Sequence, residues 1–170
     1  MKYFSYLLMM CLVLMGCSDA SLDSNDTADR IQREGQTMTA TRLLGDYEFR
    51  LIVQQSGDQD FIFQPGIRYR GQDANHEIFH SKQLFDIDLE MDEKTILPPR
   101  SGTSEELATK LTKDNWYSEE VEITLTPEQV QQLSNGEGNV VLNAGFRSEQ
   151  SGYNEKKKII INAEEILSVK

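Results

Sequence analysis

Beyond residue 43, hydrophobic and polar residues alternate along most of the chain. Tyr47, Phe49, Leu51 and Val53 alternate with Glu48, Arg50, Ile52 and Gln54, a period of two that predicts a half-buried strand. Ser56-Gly57-Asp58 turns that strand, and Phe61-Ile62-Phe63 opens the next. Pro65-Gly66 is expected to bend or bulge it before Ile67-Arg68-Tyr69-Arg70. The cleanest pattern places Phe85, Ile87, Leu89 and Met91 on one face and Asp86, Asp88, Glu90 and Asp92 on the other. Val121, Ile123 and Leu125 repeat it against Glu120, Glu122 and Thr124, and residues 140–146 and 158–161 supply two more strands. Helical signals are short. Thr126-Pro127-Glu128-Gln129 offers an N-cap, a proline at the first helical position and a capping-box glutamine, and Asn135-Gly136 stops the helix. Ser104-Glu105-Glu106-Leu107 is expected to open a second helix, and Asn162-Ala163-Glu164-Glu165 to cap a last turn before Ile166 and Leu167. The fold class expected is mainly β: an antiparallel β-sandwich or partly open barrel with two or three short helices. Residues 43–170 are long enough for a single β-rich domain with one core.

The first 16 residues follow a different rule. Lys2 is followed by an apolar, uncharged run over residues 3–15, thirteen residues in all. A bilayer span needs about 20, so this run has the length of a signal-peptide apolar region. It closes on Leu14-Met15-Gly16-Cys17, which resembles the lipobox of bacterial lipoproteins. The resemblance implies a signal peptide over 1–16, cleavage after Gly16 and a diacylglycerol thioether (palmitate or a similar chain) on Cys17. Ser18 stands where an Asp would resemble the inner-membrane retention signal, so the implied destination is the outer membrane, on its periplasmic face. Two or more acyl chains anchor stably at about 0.8 kcal/mol per buried methylene. Residues 17–42 are read as the lipidated cysteine and a flexible tether, because Ser18-Asp19-Ala20-Ser21-Leu22-Asp23-Ser24-Asn25-Asp26 has almost no apolar content. A helical turn is expected near 28–34, with Ile31 and Met38 touching the domain.

Cysteine usage and charge narrow the chemistry. Cys11 leaves with the signal and Cys17 is consumed by lipid, which leaves no thiol for a disulfide, a nucleophile or a metal. Loss of Lys2 takes the formal charge from −11 to −12, sixteen basic residues against 28 acidic ones. Such a balance repels nucleic acid and anionic headgroups and favours a basic protein as partner.

One motif carries possible catalytic chemistry. His76-Glu77-Ile78-Phe79-His80 reads H-E-x-x-H and resembles the zincin metallopeptidase signature, with the chain's only two histidines. On a helix that spacing puts both imidazoles on one face, and the resemblance implies His76 and His80 as zinc ligands with Glu77 as general base. The flanks depart from the family pattern: Asp73, Lys82 and Gln83 stand at positions that favour other residues, and no third histidine exists. A glutamate ligand would have to come from Glu105, Glu106, Glu119 or Glu120, none in a matching helix. Read instead as a strand, the segment puts His76, Ile78 and His80 on one face and Glu77 on the other.

The second constellation is the stripe Asp86, Asp88, Glu90 and Asp92, followed by Glu93. Carboxylates two apart on a strand stand roughly 7 Å apart. They call for basic residues opposite, and Arg68 and Arg70 are the expected ones. Calcium would suit the oxygens, but the glycine loop of an EF-hand is missing. Lys156-Lys157-Lys158 looks like a guard against edge pairing. Trp116-Tyr117 is an aromatic pair expected to cap the core. No G-x-S-x-G elbow frames any serine.

The function these features favour is a membrane-anchored envelope lipoprotein acting as a protein-binding module. Inhibitors, immunity proteins against an envelope-active toxin and accessory subunits of an envelope machine fall within that class. Cys17 would carry the lipid, and Asp86, Asp88, Glu90 and Asp92 would carry the docking face. No cofactor is expected. A zincin-like hydrolase at His76 and His80 and a purely structural lipoprotein are the alternatives.

Overall fold

A computed structural model of the chain describes residues 26–91, 94–95, 105–148, 154–162 and 165–166. Among these residues eleven strands lie in two antiparallel sheets, and one complete helix, α1 (Pro127–Ser134), lies between strands nine and ten. The six-stranded sheet runs β1 (Arg30–Glu34), β2 (Thr37–Leu44), β3 (Tyr47–Gln55), β4 (Asp60–Tyr69), with β8 (Tyr117–Ser118) and β9 (Val121–Thr124) both paired to β4. The five-stranded sheet runs β11 (Asn154–Asn162), β10 (Asn139–Ser148), β5 (Asn75–Met91), with β6 (Lys94–Thr95) and β7 (Glu106–Thr112) at the two ends of β5. Neither sheet closes on itself among the described residues.

Alternation produces the core as expected. Phe49, Leu51, Phe61, Phe63 and Ile67 come from one sheet and Ile78, Phe85, Leu89, Leu142 and Phe146 from the other, all in one buried cluster. Phe146 on β10 meets Tyr47 edge-to-face at 4.9 Å and Phe49 at 6.4 Å on β3, joining the sheets directly. Each such aromatic contributes about 1.5–3 kcal/mol through burial.

The sheet begins earlier than the boundary at 43. Residues 30–42, expected as tether with a helical turn near 28–34, form the β1–β2 hairpin together with residues 43–44, and Met38 and Ala40 are wholly buried. The Thr37-x-Thr39-x-Thr41 alternation is a strand pattern whose polar face is built from a β-branched residue suited to pleated sheet. Gly35 and Gly45, at φ +60° and +63°, occupy the first position of the two-residue turns on either side of β2. That is where a type II′ hairpin turn needs glycine. Upstream, Thr27 bridges Ile160 on β11, and Arg42 donates to Lys158 O at 2.8 Å, so the chain ties the two sheets together at this edge.

Three further expectations change. Glu106 and Leu107 open strand β7, not a helix; β7 completes the pairing of β5 by matching residues 106–112 to 75–81. Pro65-Gly66 does not bulge β4 against β3, where the register is unbroken from Tyr47↔Tyr69 to Gln55↔Phe61. Its effect falls on the other edge, where Pro65 has no N–H to donate. Its carbonyl still accepts from Glu119 N at 3.1 Å, and the partner strand is split there into β8 and β9 in one common register. Finally, one helix rather than two or three is complete among the described residues, and it carries the reciprocal Thr126–Gln129 capping box. Glu165 and Ile166 are helical, and Glu165 Oε2 accepts from Asn162 N at 3.3 Å, as the last-turn signal suggests.

Candidate functional site

The H-E-x-x-H segment lies on strand β5, and period two decides what its side chains do. His76, Ile78 and His80 point into the core, with the histidines 7% and 5% exposed; Glu77 points to solvent, opposite Lys110. His76 Nε2 lies 2.7 Å from Tyr47 Oη, and its ring stacks on Tyr69 at 4.4 Å and 8°. Burial, with Asp73 and Asp46 nearby, pushes the Tyr69 phenol up from its ordinary value and keeps it neutral. His80 Nδ1 lies 2.6 Å from the Ser81 carbonyl, which can only accept. In the neutral ring the proton is therefore on Nδ1, and Nε2 accepts from the Thr109 hydroxyl at 2.8 Å. Each imidazole thus has its own hydrogen-bond partner, and the carboxylate between them faces away. Among the described residues no group of three or more His, Cys, Asp or Glu is placed to hold a metal.

We expect the protein purified without chelator to carry no stoichiometric zinc by elemental analysis. About one zinc per chain, lost in His80→Ala, would overturn this assignment and restore the hydrolase.

Between His80 and Phe85 the strand changes parity. Opposite β10, Phe146 pairs with His80 and Ala144 with Phe85, so residues 81–84 face the single Gly145. Leu84 and Phe85 are consecutive and both buried. Glu119 supports the irregularity: its Oε1 accepts from Leu84 N at 3.3 Å and from Tyr117 Oη at 3.2 Å. Burial and that carboxylate push the Tyr117 phenol up from its ordinary value. The parity change keeps Glu77, Phe79 and the acidic stripe on one outer face.

On that face Asp86 is exposed and Asp88 and Glu90 are partly exposed, while Asp92 lies outside the described residues. Their cross-strand neighbours on β10 are Asn143, Val141 and Asn139. Asn143 Nδ2 donates to Asp88 Oδ2 at 2.9 Å, and Lys158 Nζ on β11 approaches Glu90 Oε1 at 3.8 Å. Arg68 and Arg70, expected opposite the stripe, lie with the other sheet, Arg68 on β4 and Arg70 just past its end. Arg68 binds Glu48 at 2.7 Å and Arg70 binds Asp114 at 2.9 Å. The residues expected to offset the stripe belong to a different face because sequence does not carry strand order.

A second cluster lies on the outer face of the six-stranded sheet. Trp116 packs over Gly66, where an added Cβ would meet Ser118 Oγ at 2.8 Å and Trp116 Cε3 at 3.3 Å. The Arg50 and Arg68 guanidiniums stand 4.2 Å and 4.6 Å from the indole centroid. The pair Trp116-Tyr117 is therefore divided: Tyr117 packs against the core and Trp116 lies on the outside. The one signal for this in sequence is Gly66 itself, since glycine inside a strand marks a close approach. Cys17 lies outside the described residues.

No family model matches the chain, and no curated protein does. A solved structure described as "Crystal structure of protein from Archaeoglobus fulgidus" is similar to it at 9% identity and TM-score 0.35, covering 78% of this chain and 94% of that one.

Proposed function

We propose that the chain is an outer-membrane lipoprotein, anchored through Cys17, whose two sheets form an antiparallel sandwich that binds another protein. The surface we assign to that partner is the acidic outer face of the five-stranded sheet. The observation that supports it is the row Asp86, Asp88 and Glu90, turned outward on one strand, with Asn143 the partner seen for Asp88 and Lys158 for Glu90. A partner of net positive charge matches both this row and the overall charge of −11. Inhibition of an envelope-active toxin or support of an envelope assembly are the roles that fit an anchored module of this size.

The test is affinity capture from envelope extracts followed by titration of the captured partner against the protein and Asp88→Lys/Glu90→Lys. We expect the double variant to associate about tenfold more slowly at low salt, since steering acts mainly on encounter. Raising salt to about 0.15 M should shrink the difference, because the screening length falls to about 8 Å. Thermal stability should change little, as exposed positions are usually within about 0.5 kcal/mol of neutral. Unchanged association would place the docking face elsewhere.

A further inference from the structure

The arginine–tryptophan cluster on the opposite sheet has chemistry the acidic face does not use. Three guanidiniums gather around Trp116 and β4: Arg50, Arg68 and Arg70. Two of them are committed. Arg68 donates through Nε and Nη2 to Glu48 Oε2 at 2.8 and 2.7 Å, and Arg70 reaches Asp114 at 2.9 Å and Glu48 at 3.7 Å. Glu120, the next carboxylate along this face, accepts from Gln64 Nε2 at 2.8 Å.

Arg50 is different. Among the described residues its Nε is buried without an acceptor, and its Nη2 makes one long contact, to Ser118 Oγ at 3.4 Å. Burial and the neighbouring Arg68 charge lower its pKa from the ordinary value, with Glu48 acting the other way. A guanidinium normally holds its charge in proteins, so the cost stays in the free domain until an anion arrives. The Arg50 Cζ stands over the indole, a cation–π placement that leaves guanidinium N–H groups to donate to an acceptor. In register, the same outer row continues from Arg50 through Thr41 to Arg30, which is exposed on the edge strand. Two strand spacings put those arginine backbones about 10 Å apart, close to one three-residue turn of an extended polyproline-II segment, whose residues i and i+3 share a face.

We propose that the outer face of the six-stranded sheet is a docking site for an acidic, extended peptide segment of a protein partner. One Asp or Glu carboxylate pairs with Arg50 beside Trp116, and a second, three residues away, pairs with Arg30. Tryptophan and arginine are the residue types that most often dominate binding energy at protein interfaces. This surface is on the other sheet from the acidic row and stands or falls independently of it.

Trp116 is the chain's single tryptophan, so its fluorescence reports this site alone. The experiment titrates the full-length chain in detergent with N-acetyl tetraglutamate amide, and in parallel with tetralysine amide and inorganic phosphate, at about 0.15 M salt to screen the distant negative charge. We expect a saturable change in Trp116 emission with tetraglutamate and none with tetralysine. Arg50→Gln should weaken it about tenfold or more, as loss of a charge-assisted hydrogen bond does. Thr41→Glu, directly opposite Arg50, supplies the carboxylate from within the sheet. It should abolish the peptide response while raising the melting temperature, which keeps the test decisive should Arg50→Gln fold poorly. Asp88→Lys/Glu90→Lys should leave the titration unchanged, separating this site from the acidic face. No saturable response, or one that survives Thr41→Glu, overturns the proposal. So does phosphate binding as tightly as the peptide, which would make this a small-anion site. Concentration-dependent self-association abolished by Thr41→Glu would also overturn it and assign the face to a second copy of the chain.

Discussion

Replacing Cys17 by serine is expected to move the protein almost entirely from the membrane pellet to the soluble fraction, or to leave it as an unprocessed precursor. The lipobox resemblance implies that lipid is attached through the cysteine sulfur, and a serine oxygen offers no thioether. Without acyl chains, the proposed anchor would be left with the apolar run over residues 3–15, well short of the roughly 20 residues that span a bilayer. Anchoring by two or more chains, as proposed, would be effectively stable, because each buried methylene contributes about 0.8 kcal/mol. The domain should stay folded, since its buried cluster is built from Met38 onward with Ala28 and Ile31 packed against it. Cell fractionation with palmitate labelling decides the matter. A processed Cys17→Ser protein that still pellets with membranes would remove the anchor from the proposal.

Phe146→Ala should have the largest effect on stability, about 3–5 kcal/mol. The ring is 2% exposed and reaches from β10 across to Tyr47 and Phe49, so its removal opens a cavity between the sheets rather than within one. A domain of this kind holds about 5–15 kcal/mol in total, so the variant should be marginal at 37 °C. In urea the midpoint should fall with little change in slope, because the surface exposed on unfolding is nearly the same. Leu43→Ala is the control: that side chain is 56% exposed and should cost little. A Phe146→Ala loss below about 1 kcal/mol would mean that the sheets are held together elsewhere.

Much of the fold was legible because alternation is local. A strand that buries one face writes that fact into every second residue, and β3, β5 beyond Phe85, and β9 all follow the expected pattern. The helix α1 was equally plain, since a capping box is a contact between residues three apart. The β1–β2 hairpin was missed because threonine serves both loops and sheet faces, and only the pairing with β3 buries Met38 and Ala40. The helix expected at Glu106 failed for a related reason: its acidic start resembles a first turn, and the open edge of β5 overrode that propensity.

The candidate sites divide along the same line. Sequence determined that Asp86, Asp88 and Glu90 share an outer face and that a strand would separate Glu77 from His76 and His80. Both follow from a side-chain period of two and require no knowledge of neighbouring strands. Tertiary structure decided what those residues meet. It put Tyr47, Tyr69 and Thr109 against the histidines, gave Arg68 to Glu48 instead of the acidic stripe, and brought Arg50 and Arg68 to Trp116 from distant points in the chain. Register and strand order come from the packing of the whole core, and a contact between strands leaves no period in the sequence on either side.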